Sequence, residues 1–296
     1  MARFDYKLLN ALNAVMQEQS FERAANHLCI SQSAVSQRIK LLEEFVAHPV
    51  IVRGQPIVPT AIGQKLLTHY RQVQQLESVL LPELLPDEPT QAVKISVAVN
   101  ADSVATWFLR AMAVMLKSYP IELNLLISDE IRTIDKLKSG EAYAAVTAQQ
   151  KALPGYQSFE LGKLNYVLVA TKEFVQRYFA DGINAASLRQ APAVSYDPKD
   201  DMHSHFINQH FGLAAGSYPC HTVRSSEAFV ELAKQGAAYC LISQLQIADE
   251  LERGELINIL PDKSLNEVLY WHCWVMVSGI YKQVSEHVVK SARALL

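Results

Sequence analysis

The sequence predicts an α/β fold in two lobes, preceded by an all-α winged helix-turn-helix unit at the N-terminus. Three observations carry this. A helix–turn–helix pattern occupies Ser20 to Phe45. A long apolar helical stripe follows it and runs into prolines. From residue 92 onward, strand-like and helix-like segments alternate to the end of the chain.

Residues 4–18 form the first helix, with Leu8, Leu12, Val15 and Met16 on one face to cover the two helices that follow. In SFERAANHLCISQSAVSQRIKLLEEF, Phe21, Ala24, Ala25 and Leu28 fall at i, i+3, i+4 and i+7. The two alanines leave room for a close helix contact. The break is Cys29-Ile30-Ser31, and Ser31 can cap the next helix by accepting a bond from a free N–H. That helix has two stripes. Val35, Ile39 and Leu42 must face a core, while Ser33, Ser36, Gln37 and Lys40 recur on the opposite side. The polar stripe sets hydrogen-bonding groups around one cation, with no carboxylate, which suits base edges and phosphates in a major groove. A merely solvated helix face is the competing reading. The alanine pair, the short turn and the polar second helix together weigh against it. A two-stranded wing is expected over roughly residues 50–59, with Arg53, Gln55 and two prolines at a stiff tip.

A long helix then runs from Thr60 to about Leu85, with Leu66, Tyr70, Val73, Leu76 and Leu80 at alternating spacings of three and four. Such a stripe reads as a seam between two chains. Pro82, Pro86 and Pro89 are expected to end the helix and make a hinge. Beyond it, strands at 93–99, 121–127 and 142–147 alternate with helices at 103–117 and 131–138. A second series opens with a strand at 166–170 and continues through strand 193–196, helix 202–210, strand 220–223, helix 227–235 and strand 238–242. The chain returns to the first series through a strand at 269–277 and a terminal helix from Tyr281. Two lobes joined by two crossings fit this order. The expected units are residues 1–59, a helix and hinge at 60–91, and a two-lobed region at 92–296. Lobe I takes about 92–163 and 269–296, and lobe II about 164–268.

With 296 residues, half of them hydrophobic, the chain is long enough for two or three units with sizeable cores. MARFDYKLLN lacks an apolar signal core, and no run approaches the ~20 apolar residues of a membrane span. Cys29, Cys220, Cys240 and Cys273 have no CxxC pair or framework spacing, which suits a reducing cytoplasm. A net charge of −3 argues at first against nucleic acid. Residues 1–75, however, carry eight cations (Arg3, Lys7, Arg23, Arg38, Lys40, Arg53, Lys65, Arg71) against five anions (Asp5, Glu18, Glu22, Glu43, Glu44). That modest positive footprint calls for a dimer or larger assembly to supply enough phosphate contacts.

SFERAANHLCISQSAVSQRIKLLEE resembles the helix-turn-helix of LysR-type transcriptional regulators, with its alanine pair, Ser-Gln opening and Leu-Glu ending. Where that family usually continues with Gly-x-x-Leu-Phe-x-Arg, this chain has Ala47-His48-Pro49-Val50-Ile51-Val52-Arg53, so the glycine and phenylalanine are replaced. Arg53 and Thr60-Ala61-Ile62-Gly63 match the family's wing and its exit. The resemblance implies a dimerising linker helix and a bilobed effector domain of periplasmic-binding-protein-like form. It also implies double-stranded DNA, further copies of the chain (a dimer or dimer of dimers) and RNA polymerase as partners. DNA contact is assigned to Gln32, Ser33, Ser36, Gln37, Arg38, Lys40 and Arg53.

Ligands of open α/β sheets sit beyond the carboxyl ends of strands, near helix starts. Asn100-Ala101-Asp102-Ser103 and Arg224-Ser225-Ser226-Glu227 are two such junctions, one per lobe, and each offers hydroxyls and free N–H groups for a carboxylate. Plain N-capping by Ser103 and Ser226 is the alternative. Asp129-Glu130 and the run Asp197-Pro198-Lys199-Asp200-Asp201 put carboxylates at helix starts, where they act as dipole partners or attract a ligand cation. VAVNADSVATW, SDEIRT, KDDMH, VRSSEAFVELAKQG and LYWH are similar to the arginine- and lysine-responsive ArgP/LysG-type branch of the family, with Arg224 standing in place of a smaller polar residue. That similarity implies a basic amino acid, lysine or arginine, as effector and amino-acid transport or metabolism genes as targets. The effector site is assigned to Asn100, Asp102, Ser103, Asp129, Thr147, Asp201, Ser225 and Ser226, with no other cofactor.

Other classes fit less well. His203, His205, His210, Cys220, His221, His272 and Cys273 include no HxxxH or CxxC spacing, and His203 and His210 stand two helical turns (roughly 10 Å) apart, so no metal ligands are assigned. No GxSxG, P-loop or dinucleotide fingerprint is present, so no enzyme is expected. A secreted solute-binding protein would account for the lobes but not for the first 90 residues.

Overall fold

The computed structural model describes residues 3–84, 92–127, 130–196 and 201–296, with backbone alone at 82, 83, 130–132 and 201. The head consists of α1 (Tyr6–Glu18), α2 (Phe21–His27) and α3 (Gln32–Val46), then a hairpin of β1 (Ile51–Val52) and β2 (Val58–Pro59). The expected apolar residues hold it together: Leu12, Val15, Ala24, Val35 and Ile39 are fully buried. Each helix start is capped as its sequence demands, by Asp5, Ser20 and Ser31 accepting from the N–H groups of Lys7, Arg23 and Ala34.

The long helix α4 (Ala61–Leu84) does not behave as one seam. Leu66, Leu67 and Tyr70 are buried against Leu9, Leu12 and Leu42 of the head. Only further along does the apolar row stand free, with Leu76 38% and Leu80 51% exposed. The stripe expected to pair two chains therefore divides in the middle, and its first half belongs to this chain's own core. Pro82 does not by itself stop the helix, which is described through Leu84; its missing N–H removes a single bond from the ladder. Residues 85–91, with Pro86, Pro89 and the expected hinge, lie outside the described residues.

The remainder begins with β3 (Val93–Val99) and α5 (Ala101–Ser103), which winds through a π-helical stretch (Val104–Phe108) into α6 (Leu109–Ser118). Next come β4 (Ile121–Ile127), α7 (Glu130–Lys138), β5 (Ala144–Thr147) and β6 (Tyr156–Ala170). The second lobe adds α8 (Lys172–Tyr178), α9 (Ala185–Leu188), β7 (Ala193–Ser195), α10 (Asp201–Phe211), β8 (Cys220–Thr222), α11 (Ser226–Lys234), β9 (Cys240–Ser243), α12 (Ala248–Glu252) and β10 (Ile257–Asn258). The chain returns through β11 (Leu265–Trp274) to α13 (Gly279–Leu295).

Seven strands form one sheet in the order β10-β6-β11-β5-β3-β4, with β9 also on β6, while β7 and β8 pair separately. β3, β4 and β5 are parallel, as crossover helices require. The second series does not open at Tyr166 as expected: β6 starts at Tyr156 and runs 15 residues. It pairs antiparallel with β11 over its first part and with β9 from Tyr166 to Val169. β6 and β11 are thus the two crossings, laid side by side as one ribbon through both lobes. Fully buried Trp107, Phe108, Tyr166 and Trp271 anchor the core beside that ribbon, and a second cluster around Val194, Ile242 and Leu256 fills lobe II. Among the described residues, no helix is long and apolar enough to cross a membrane.

Candidate DNA-reading face and effector cleft

On α3, the inward stripe of Val35, Ile39 and Leu42 is at most 1% exposed. Gln32, Ser33, Gln37 and Lys40 are exposed, and Ser36 and Arg38 half-buried. The turn before α3 closes through Ile30 N–H to the Ala25 carbonyl at 3.0 Å, with Cys29 in the left-handed region at φ 53°. The Ser33 and Ser31 hydroxyls are 2.9 Å apart, which draws Ser33 toward the cap. Lys40 lies 3.8 Å from Glu44 on the open surface, a pair that water and salt screen readily. Arg53 sits exposed at the wing with its guanidinium 5.6 Å from the Phe21 ring centre. Gln19 ties the wing to α1: its amide donates to the Ile57 carbonyl at 3.0 Å and accepts from the Ile57 N–H at 2.9 Å.

Local geometry also accounts for the residues that depart from the usual pattern after α3. Ala47 ends the helix at φ 55°, a conformation that costs an L-residue about 1–2 kcal/mol where glycine would pass freely. At the start of α4, the Thr60 hydroxyl accepts from the Gly63 N–H and donates to the Pro49 carbonyl. Gly63 itself is required by contact, because a Cβ there would meet the Val50 carbonyl oxygen at 1.9 Å.

The two polar junctions of the lobes do meet. Asp102, following β3, receives the Tyr166 hydroxyl at 2.8 Å on one carboxylate oxygen and the Ser226 hydroxyl at 2.6 Å on the other. The same Ser226 hydroxyl lies 2.7 Å from Gln246 Oε1, so its single proton is shared between two acceptors. Burial pushes the Asp102 carboxyl above the usual carboxylate range; the bonds from Ser226 and Tyr166 oppose that, and the charge of Glu227 adds to it. Ser225, not Ser226, caps α11, accepting from the Ala228 N–H at 3.2 Å while its hydroxyl donates to Glu227.

Asn100, Ser103 and Thr147 are all buried at the carboxyl ends of β3 and β5. The Ser103 hydroxyl has no hydrogen-bond partner among the described residues, whereas Thr147 accepts from the Gln149 N–H at 3.2 Å. Of the two acidic positions assigned to a ligand cation, Asp129 and the side chain of Asp201 lie outside the described residues. Tyr166 and Gln246 were not singled out in the sequence. One sits within a strand and the other follows one, and only the fold brings Tyr166 to Asp102 and Gln246 to Ser226.

The histidines proposed as alternative metal ligands are dispersed. His203 is buried beside the Tyr218 and Tyr239 rings, with its imidazole pulled down to about 4 by burial. His210 packs on Phe206, and buried His272 lies within β11. Among the described residues, no group of three His, Cys, Asp or Glu side chains could hold a metal ion.

Lobe I rests directly on α4. Gln64 and Arg71 both donate to the Ser139 carbonyl, at 3.0 and 2.9 Å, and Thr68 donates to the Lys138 carbonyl at 3.3 Å. Arg71 also reaches Asn13 of α1 at 3.1 Å.

Residues 6–64 match the model of the bacterial regulatory helix-turn-helix protein, lysR family, and residues 89–275 that of the LysR substrate binding domain. The chain is 53% identical to the HTH-type transcriptional regulator ArgP of Aeromonas salmonicida, over all of this chain and 99% of the relative. It is 51% identical to ArgP of Photobacterium profundum over the same shares. Among solved structures it superimposes on ArgP from Mycobacterium tuberculosis with a TM-score of 0.85 at 34% identity, covering 99% of both chains. Full-length LysG from Corynebacterium glutamicum with bound effector Arg gives 0.78 at 29% identity, again over 99% of both. With both modules matched and aligned along the whole length, the chain belongs to the LysR family of effector-controlled, DNA-binding transcriptional regulators.

Proposed function

We propose that this regulator's hold on its operator is set by a free basic amino acid, arginine or lysine, bound between the lobes. The observation that carries this reading is Asp102. It is an enclosed carboxyl between the lobes whose hydrogen-bond partners are two neutral hydroxyls and whose nearby charge, Glu227, is negative; no cationic side chain among the described residues pairs with it. A ligand cation fits that place, because charge attraction strengthens where water is excluded. The ligand carboxylate then falls to the buried Ser103 hydroxyl and the free N–H groups at the start of α5, with Asn100 and Thr147 as the adjoining wall. Asp129 and Asp201, the first and second choices for the cation on the sequence, here stand behind Asp102. The LysG structure that this chain resembles holds Arg.

On the DNA side, Ser33, Ser36 and Gln37 approach base edges, Gln32 and Arg38 flank them, and Lys40 and Arg53 neutralise phosphates or enter a groove. The protein acts as a dimer or dimer of dimers through the exposed row Leu76, Leu80, Leu81 and Leu84 of α4, matching half-sites a whole number of helical turns apart. Its targets are amino-acid transport or metabolism genes, and it engages RNA polymerase there. The test is to capture genomic fragments on the purified protein with and without each amino acid. A common operator beside such genes, whose retention changes with arginine or lysine but not with glutamate or leucine, supports the reading. Enrichment that ignores basic amino acids overturns the effector, and no sequence enrichment overturns the whole.

A further inference from the structure

The two ends of α7 lie in different parts of the molecule. Its start follows β4, whose last residue, Ile127, lies in register with Val99 of β3, so α7 begins at the same edge as Asn100–Ser103. At its other end, the carbonyls left open by the last helical turn are taken by side chains of α4: Lys138 by Thr68, and Ser139 by Gln64 and Arg71. The approach is tight. Gly140, at φ 68°, would place a Cβ 3.2 Å from the Thr68 Cα, so backbone nearly meets backbone. Arg71 extends the contact through its Nε to Asn13, a 6% exposed residue of α1.

The charge of Arg71 suits the negative end of the α7 dipole. Burial lowers its guanidinium below the ordinary value, and nearby Glu141 pulls it back up. Glu141 is itself held by Lys136 at 2.7 Å and by the Ser139 hydroxyl at 2.8 Å. A neighbouring side of α4 carries Leu66, Leu67 and Tyr70 into the core of the head. A shift of α7 is therefore delivered, without an intervening loop, to the helix that carries the head. Lobe I also meets α4 elsewhere, through Tyr156 and Gln72, through Tyr281 and Ser78 at 3.3 Å, and through Gly279 and Val79, but none of these contacts is made by α7.

We propose that α7 couples the cleft to the DNA-binding head, and that Arg71, bridging the Ser139 carbonyl and Asn13, is the positioning residue of that coupling. Its use by an amino-acid effector rests on the function proposed above; the coupling itself does not. Arg71 belongs neither to the proposed reading face nor to the proposed effector site, and its planar fork reaches two acceptors that one ammonium does not span.

The experiment follows hydrogen exchange of the α7 amides in the full-length protein, with and without operator fragments captured by the wild type. It uses wild type, Arg71→Met, Arg71→Lys and, as a guard against misfolding of the first, Asn13→Ala, which cuts only the head side of the bridge. Operator is expected to slow α7 exchange at least threefold in wild type and by less than half of that effect in each variant. A structural role alone would lower the melting temperature yet leave the response to operator intact. The same response in wild type and all folded variants, or no response in wild type, overturns the proposal. Arginine is then added. If it binds wild type and variants within twofold of one another but changes operator affinity only in wild type, the effector uses this route. An operator response in α7 without any arginine binding would retain the coupling and refute the effector.

Discussion

In the head, the residues proposed to face DNA come mostly from one helix: Gln32, Ser33, Ser36, Gln37 and Lys40 lie within nine consecutive positions of α3, and Arg53 joins them from the wing. In the cleft, Asp102 is met by Tyr166 and Ser226, and Ser226 in turn by Gln246; these arrive on β6, α11 and the segment after β9. The reading face is a set of mostly open side chains, each supported by a buried neighbour on the opposite stripe. The cleft is a set of enclosed side chains supported by one another. Substitution on α3 should therefore cost binding and spare the fold. Substitution in the lobes should cost both, and should also change how the protein responds to acid.

The largest effect follows from His203 in lobe II, whose folded value of about 4 lies below the ordinary 6.5. The unfolded chain binds the proton more readily, so the stabilisation is fully present above pH 6.5 and is lost as pH falls toward 4. The loss amounts to about 3 kcal/mol. Denaturant melts along that range should show it in wild type, with a clearly shallower fall in His203→Phe. Equal slopes would remove buried histidine as a cause of acid sensitivity.

Next comes a direct contrast between the two regions. Ser226→Ala withdraws a donor from an enclosed carboxyl and should cost about 1.5–3 kcal/mol of stability. Gln37→Ala should cost about 1–3 kcal/mol of operator binding with base preference relaxed at one position, and stability should stay within about 0.5 kcal/mol. If Gln37→Ala binds its operator with unchanged affinity and preference, the reading face is wrongly assigned. If it destabilises the fold as much as Ser226→Ala does, the contrast itself fails.

The smallest effect is confined to the head. Ala47→Gly relieves a left-handed alanine and, after the added freedom of the unfolded chain, should stabilise by about 0.5–1 kcal/mol. Calorimetric melting checks it, and a lower melting temperature would contradict it.

The same contrast decides what could be read from the sequence. Caps and turns depend on residues a few positions apart, so Ser31, Ala24, Ala25 and the two stripes of α3 were visible without coordinates. The strands β3 and β4 were equally visible as runs rich in Val, Ile and Leu, although β4 is only partly covered. The first ten residues of β6 were not, because Gly162 and the outward-facing Gln157, Glu160 and Lys163 interrupt the apolar pattern of a strand that is only partly covered. Periodicity also cannot say which chain covers a stripe. Leu66 and Tyr70 looked like an intermolecular seam, yet they fill the core of their own head. Asp102 and Ser226 were legible as polar helix starts, but not the role of Tyr166 and Gln246 around them, nor that Ser225 takes the cap.

One measurement reaches the central claim most directly: calorimetric titration of arginine into the wild-type protein and Asp102→Asn, at several pH values. The raised Asp102 value means that the apo protein holds this proton to a higher pH than a free carboxylate would. A cation binds the ionised form, so binding should release a proton and weaken as pH falls through that raised value. The account expects arginine or lysine to bind wild type with proton release. It expects Asp102→Asn to bind at least about tenfold more weakly, with the release abolished. Arginine binding that is unchanged in Asp102→Asn, or binding of glutamate or leucine in place of the basic amino acids, would contradict it.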